Sequence, residues 1–125
     1  LGDVYKRQLI HRGFSVLDAA PYRNIPCLEM ALEMKKRFPG LPLFCDPSHI
    51  CGKRGLLYGI CAEALRLDMD GLFIESHCCP EVALSDAAQQ LTPEALGKMF
   101  ENLGIRQVEN NKLHLGCEIL IQRKG

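Results

Sequence analysis

Two stretches, Leu43-Phe44-Cys45-Asp46-Pro47-Ser48-His49 and Gly71-Leu72-Phe73-Ile74-Glu75-Ser76-His77, share one plan: a short, unbroken apolar run that stops on charged and imidazole groups. A run this uniformly apolar, without polar alternation, reads as a strand covered on both faces, as strands of parallel sheets are. An earlier run, Leu9-Ile10, leads in the same way into His11-Arg12-Gly13. Each run is followed by a polar loop and a helical pattern. The first helix is expected from about Cys27 to Phe38, with Leu28, Ala31, Leu32 and Met34 along it, and Pro39-Gly40 stops it. The second follows a loop containing Gly52 and Gly55 and covers about Leu56 to Leu67, with Ile60, Ala64 and Leu67 at helical spacing. The third opens at Thr92-Pro93-Glu94, with Thr92 as N-cap and Pro93 at the first helical position, and reaches about Leu103.

Strands alternating with helices leave two α/β architectures, a doubly wound sheet or a (β/α)8 barrel. No Gly-x-Gly-x-x-Gly fingerprint follows any strand, which weakens a dinucleotide-binding reading. All three strands carry charged or imidazole groups at their C-terminal ends, the rim on which barrel active sites are assembled. Three βα units cannot close a barrel by themselves, so the expectation is a fragment of one.

Composition narrows the function classes. Of 125 residues, 47% are hydrophobic and 24% charged, the balance of a soluble globular chain. Lys+Arg and Asp+Glu are equal at 15 each, so no overall basic field favours nucleic acid. Lys35-Lys36-Arg37 sit at a helix C-terminus, where they complement the helix dipole and face water. No apolar run approaches the roughly 18–20 residues that span a bilayer, and no apolar signal core precedes the first strand, so neither membrane nor secretion is expected. Seven cysteines, odd in number and irregular in spacing, argue for free thiols and a reducing cytoplasm. Cys45 and Cys61 read as small core residues, Cys51 as standing in a Gly-containing loop, and the adjacent Cys78-Cys79 lack a second pair at zinc-finger spacing.

The sharpest chemical constellation is His49, Glu75 and Asp86. One imidazole and two carboxylates suit a divalent metal such as manganese, iron, cobalt or zinc, and strand ends on a barrel rim would let them converge. The alternative is that the acids cap the following helices. His77 shares the strand face of Glu75 and reads as a fourth ligand, a partner of a ligand or a polar rim residue. Arg12, open to the rim before Gly13, suits a phosphate or carboxylate through its two-pronged fork, or else an ion pair with a neighbouring acid. Arg23-Asn24 and Lys53-Arg54 add polar and cationic groups to the rim loops.

Four segments together resemble the type I 3-deoxy-7-phosphoheptulonate synthases: Ile10-His11-Arg12-Gly13-Phe14-Ser15, Cys45-Asp46-Pro47-Ser48-His49, Ile74-Glu75-Ser76-His77, and Ala83-Leu84-Ser85-Asp86 with Gln89-Gln90. Tyr22-Arg23-Asn24 falls in register as well, and the likeness runs from about Leu9 to Arg106. The resemblance implies strands six to eight of a (β/α)8 barrel, a divalent metal held by His49, Glu75 and Asp86, and Arg12 on the phosphate of phosphoenolpyruvate. Arg23, Asn24 and Asp46 are further candidate substrate-binding residues. The implied reaction is a transferase step that condenses phosphoenolpyruvate with erythrose 4-phosphate and releases phosphate, opening the shikimate route to chorismate and the aromatic amino acids. The parent is expected to be a homo-oligomer in the cytoplasm.

The His-Arg-Gly-Phe-Ser form of the first segment resembles the subgroup fused to a chorismate mutase domain, where many relatives have Cys-Glu-Arg-Gly. The first five strands are absent, and with them the family's cysteine ligand, its Lys-Pro-Arg-Thr loop and a lysine on phosphoenolpyruvate. The division implied is a non-native tail over residues 1–8, a partial barrel over 9–106, and a linker or aberrant end over 107–125. Two rivals stand beside this reading. One is 3-deoxy-manno-octulosonate-8-phosphate synthase, against which Pro47 argues, since Asp-Ala-Thr-His is usual there. The other is a non-catalytic partial barrel, inactive on its own.

Overall fold

The computed structural model describes residues 7–105 and the strand at 118–122. In chain order the elements are β1 (Leu9–His11), α1 (Leu28–Arg37), β2 (Leu43–Cys45), α2 (Pro47–Cys51), α3 (Leu57–Arg66), β3 (Gly71–Glu75), α4 (Pro93–Asn102) and β4 (Glu118–Gln122). Single 3-10 turns at Arg54–Leu56 and Pro80–Val82 lead into α3 and out of β3. The three apolar runs are the strands expected, and the three long helices fall within a residue or two of their expected bounds. Thr92 caps α4 through its hydroxyl, which accepts from Ala95 N–H at 3.2 Å, with Pro93 at the first turn.

β1, β2 and β3 run parallel in chain order, with Leu9 opposite Leu43 and Phe44 opposite Gly71. Asp46 N–H donates to His11 C=O at 2.8 Å, carrying the ladder one residue past the end of β2. The fourth strand differs from the three-strand expectation. β4 pairs antiparallel along the whole far edge of β3, from Gly71 opposite Gln122 to Glu75 opposite Glu118. Its Ile119-Leu120-Ile121 core is rich in β-branched residues, a strand signal that a search for helical period passes over. The rest of the stretch expected as a linker or aberrant end, 107–117 and 123–125, lies outside the described residues, as do Arg106 of the expected barrel segment and residues 1–6 of the expected tail.

The core lies between the sheet and α2 and α3, which pack on β3 and on each other. Leu43, Cys45, Ile50, Cys51, Leu57, Cys61, Ala64, Met69, Leu72 and Ile74 are buried there. Cys51 is therefore a core residue at the end of α2 rather than a loop cysteine. Burial pushes the Cys51 and Cys61 thiols up to about 12 and Cys45 higher still, so all three are chemically quiet. Lys35 also departs from expectation. Its ammonium donates to Asp68 C=O at 2.6 Å and to the Asp70 carboxylate at 3.2 Å, while Asp70 accepts from Leu43 N–H at the start of β2.

β1 is the open side of the sheet: among the described residues it pairs only with β2. Ile10 and Phe14 are each about two-fifths exposed there, and Leu17 is fully so. An uncovered edge strand beside apolar side chains is a template for pairing with another chain. The purified chain is expected to elute from a size-exclusion column above its 14.0 kDa monomer mass. Ile10→Lys, which places a charge on the edge, should shift it toward the monomer. An unsubstituted chain that elutes as a monomer at micromolar concentration would contradict this.

Candidate metal centre

The site is built around Asp46, which ends β2 and starts α2. Pro47 fits the first helical turn, where its missing N–H costs nothing, and the Asp46 carboxylate caps the helix by accepting from His49 N–H at 2.9 Å. The other oxygen of that carboxylate accepts from His49 Nδ1 at 2.6 Å. With Nδ1 donating, neutral His49 keeps its free lone pair on Nε2, the usual division of labour in a metal-binding imidazole. His49 thus stands on a one-and-a-half-turn helix after the strand, not at the strand end itself. Three residues of cap geometry fix both its backbone and its ring.

Glu75 is the last residue of β3, and its N–H donates to Ser48 Oγ at 3.0 Å, tying the strand end to α2. Asp86 lies in the loop after the Pro80–Val82 turn and adopts a left-handed backbone, φ 51°. Aspartate tolerates that region better than most side chains, and such backbone strain is often found at functional sites. From these three elements the ligand-capable atoms of His49, Glu75 and Asp86 converge to within 4.8 Å of one another. His49 Nε2 lies 3.6 Å from Glu75 Oε1 and 3.7 Å from Asp86 Oδ2. Both separations are too long for good hydrogen bonds and near the roughly 3–3.5 Å between donors that share a metal at about 2.1 Å. One nitrogen and two carboxylate oxygens fit a divalent first-row ion.

Burial of its carboxylate holds Glu75 above its ordinary value, reinforced by Asp86 and Asp46 and opposed by hydrogen bonding from Gln89 and by His49. Gln89, itself buried, donates from Nε2 to Glu75 Oε2 at 2.6 Å. Arg23 Nη1 donates to Asp86 Oδ1 at 2.9 Å and to Gln89 Oε1 at 3.1 Å.

Arg23 and Asn24 reach the site because their loop is fastened to the end of α2. Arg23 N–H and Asn24 N–H donate to Ile50 C=O, each at 3.0 Å. Gly52 ends α2 in a left-handed conformation, φ 65°, and a Cβ there would meet the Arg23 side chain at 2.7 Å. Only glycine serves both demands. The Asn24 amide donates to Arg12 C=O at 3.2 Å and His49 C=O at 3.0 Å, so its donors are engaged in joining the two rim loops. Asp46, expected among substrate-binding groups, is buried and occupied by His49. Arg12 keeps a mostly exposed side chain, with Nε 3.6 Å from Asp46 Oδ2, so the ion-pair alternative is present.

His77 is outside the cluster. Its Nδ1 accepts from Cys79 N–H at 2.9 Å and shapes the loop after β3. Arg54 braces the Asp86 loop through Ala87 C=O and Gln90 C=O at 3.2 and 3.3 Å, and Lys53 stays exposed. Beside the centre, the 16–23 loop, Gly52-Lys53 and the Asp86–Gln89 segment enclose an open cleft of about 560 Å³. The roles of Gln89 and Ser48 were missed from the sequence. Gln89 stood in the Gln89-Gln90 pair but nothing local tells which strand end it serves.

Parallel strands β1–β3 with an imidazole and two carboxylates gathered beyond their C-terminal ends are arranged as (β/α)8 enzymes arrange the rim that carries their active sites. Comparison gives the family. The sequence profile of the DAHP synthetase I family matches residues 3–109, and the chain belongs to that family. The phospho-2-dehydro-3-deoxyheptonate aldolase of Thermotoga maritima is 28% identical over 95 residues, 76% of this chain and 28% of that protein. A crystal structure of the aldolase from that organism superposes with a TM-score of 0.69 at 29% identity, covering 78% of this chain and 28% of the other. A truncated form of 3-deoxy-D-arabino-heptulosonate 7-phosphate synthase from Thermotoga maritima gives the same TM-score and identity, with 78% and 36% covered. The chain therefore spans about a quarter to a third of the length of these relatives. Among the described residues no helix is long and apolar enough to cross a membrane.

Glu75→Gln tests the electrostatic account. A folded value above the ordinary 4.5 means the native chain binds the Glu75 proton more tightly than the unfolded chain does. The associated stability is full below 4.5 and is lost as pH rises through the folded value. In the metal-free chain Glu75→Gln should therefore raise the thermal midpoint at pH 8, and the gain should fade as pH falls toward 4.5. A variant less stable than the parent at pH 8 would contradict it.

Proposed function

We propose that this chain supplies the metal-binding and phosphate-binding rim of a 3-deoxy-7-phosphoheptulonate synthase, the transferase that joins phosphoenolpyruvate to erythrose 4-phosphate. The observation that carries the reading is the convergence of His49, Glu75 and Asp86 within 4.8 Å in a chain of this family. These three residues would hold the divalent ion, with manganese, iron, cobalt and zinc all compatible with the donor set. When bound, such an ion supplies Lewis acidity toward the aldehyde of erythrose 4-phosphate, or orients and activates a water.

The chain's own residues do the rest. Asp46 holds the His49 ring with Nε2 turned to the centre. Arg12 offers its fork to the phosphate of phosphoenolpyruvate, orienting it and balancing charge as phosphate departs. In the reaction, C3 of phosphoenolpyruvate attacks the aldehyde carbon, water adds at C2, and the C2–O bond to phosphate breaks. Strands six to eight of a (β/α)8 barrel are the units that suit the segment, and Leu9, Ile10 and Phe14 then face the preceding part of the barrel. The six free thiols among the described residues suit a reducing cytoplasm, and the proposed parent is a homo-oligomer of the subgroup fused to a chorismate mutase domain.

Alone, the chain should show no synthase activity, because one rim segment brings too few groups to position two phosphorylated substrates. Grafted in place of the matching segment of the Thermotoga maritima aldolase, it should support manganese-dependent phosphate release from phosphoenolpyruvate with erythrose 4-phosphate. His49→Ala in the graft should abolish that turnover. Full activity in a strong chelator, or preference for a five-carbon sugar phosphate, would overturn the reading.

Arg12→Ala in the same graft should raise the KM for phosphoenolpyruvate by the loss of roughly 1.5–3 kcal/mol of charge-assisted hydrogen bonding. Arg12→Lys should recover only part, since an ammonium cannot reproduce the fork. Unchanged KM and kcat in the alanine variant would remove Arg12 from the site.

A further inference from the structure

The two carboxylates of the centre are not held independently. Glu75 and Asp86 come from different elements, yet one side-chain chain connects them. Glu75 Oε2 accepts from Gln89 Nε2 at 2.6 Å, Gln89 Oε1 accepts from Arg23 Nη1 at 3.1 Å, and the same Nη1 donates to Asp86 Oδ1 at 2.9 Å. The oxygens left over are Glu75 Oε1 and Asp86 Oδ2, and these are the two that face His49 Nε2, at 3.6 and 3.7 Å. Each carboxylate is thus tied by one oxygen and presents the other. Gln89 is 2% exposed and both ends of its amide are used, so its orientation is fixed.

We propose that Gln89 and Arg23 act as a positioning bridge that confines Glu75 and Asp86 to one metal-facing oxygen each, and so sets the centre's preference for small first-row divalent ions over calcium. Calcium takes six to eight oxygens and is commonly held by carboxylates that chelate through both oxygens. A bridge that occupies the second oxygen of each carboxylate withholds that mode. Smaller ions, satisfied with four to six ligands at about 2.1 Å, lose nothing by it. Arg23 adds a positive charge behind Asp86 and stands against the like-charge repulsion between the two carboxylates. Its placement depends on Gly52 and on Ile50 C=O, so the end of α2 that positions His49 also positions the bridge. Arg23 is on this account a positioning residue, acting through Asp86 and Gln89.

The inference rests on His49, Glu75 and Asp86 holding a metal, and the experiment separates the two. Manganese binding to the 125-residue chain is followed by the paramagnetic resonance signal of free Mn2+, and calcium is then titrated against bound manganese. Gln89→Ala and Arg23→Ala should each weaken manganese by about 10–100-fold, the usual range for a lost partner of a metal ligand. Calcium should weaken far less, narrowing the manganese-to-calcium ratio by about tenfold or more. Arg23→Lys should fall between, since an ammonium keeps the charge but not the fixed fork. A role confined to folding would lower both ions equally and leave the ratio alone. A wild-type ratio in both alanine variants, with binding still abolished by His49→Ala, overturns the bridge and leaves the metal site standing. Should the isolated chain, which lacks the family's cysteine ligand, not bind manganese, the same titrations are read in the graft, and failure to bind there as well overturns both. Should Gln89→Ala fail to fold by circular dichroism, Arg23→Lys decides: an intermediate ratio supports the bridge and an unchanged one refutes it.

Discussion

The buried Asp46 carboxylate is the constraint on which the rest of the rim depends. One oxygen closes the first turn of α2 and the other accepts a hydrogen bond from His49 Nδ1. The backbone N–H of the same residue extends the β1–β2 ladder to His11. A single side chain thereby converts the end of a strand into a helix and fixes a ring, and it does so with Arg12 close by at 3.6 Å. A carboxylate buried this deeply is tolerated because its bonding capacity is used. Asparagine in its place would keep the size and give up the charge that orients an imidazole proton.

Around that hub the structure concentrates negative charge in a poorly solvated place. Glu75, Asp86 and Asp46 lie close enough to raise the Glu75 value, with burial the largest cause. Such an arrangement works against folding in the metal-free chain and favours a cation at the centre, a trade between stability and function that binding sites commonly make. The left-handed backbone of Asp86 belongs to the same trade. The surrounding core takes no part in it: the thiols of Cys45, Cys51 and Cys61 are buried and held protonated, and serve as small packing groups.

The loop between β1 and α1 has no long regular structure, yet its position is well determined. Its bridge from Phe14 to Ile25, with N–H···O=C bonds of 2.9 and 2.8 Å, closes it on itself. The carbonyl end of α2 then receives Arg23 and Asn24 N–H, so the orphan acceptors of a short helix are satisfied by a loop that also brings Arg23 to Asp86. Gly13, with φ 75° and Ile25 C=O where a Cβ would stand, permits the close approach.

Two of the three parallel strands were legible as the continuously apolar runs Leu43–Cys45 and Gly71–Ile74, and the third as the shorter Leu9-Ile10 run before His11-Arg12-Gly13. The sequence by itself determined the long helices through Thr92-Pro93 and the apolar spacing of Leu28, Ala31, Ile60 and Ala64. It also singled out His49, Glu75 and Asp86, since acids and imidazoles that stop apolar runs are conspicuous along a chain. Tertiary structure alone decided how those side chains are held. That Asp46 and Asn24 are spent within the protein, that His77 turns away to Cys79 N–H, and that Arg23 reaches Asp86 through 63 residues of separation are consequences of loops meeting over the strand ends. The pairing of β4 with β3 is of the same kind. Local pattern records what each residue prefers to be covered by, and hydrogen-bond partners between distant loops leave no period in the sequence to be read.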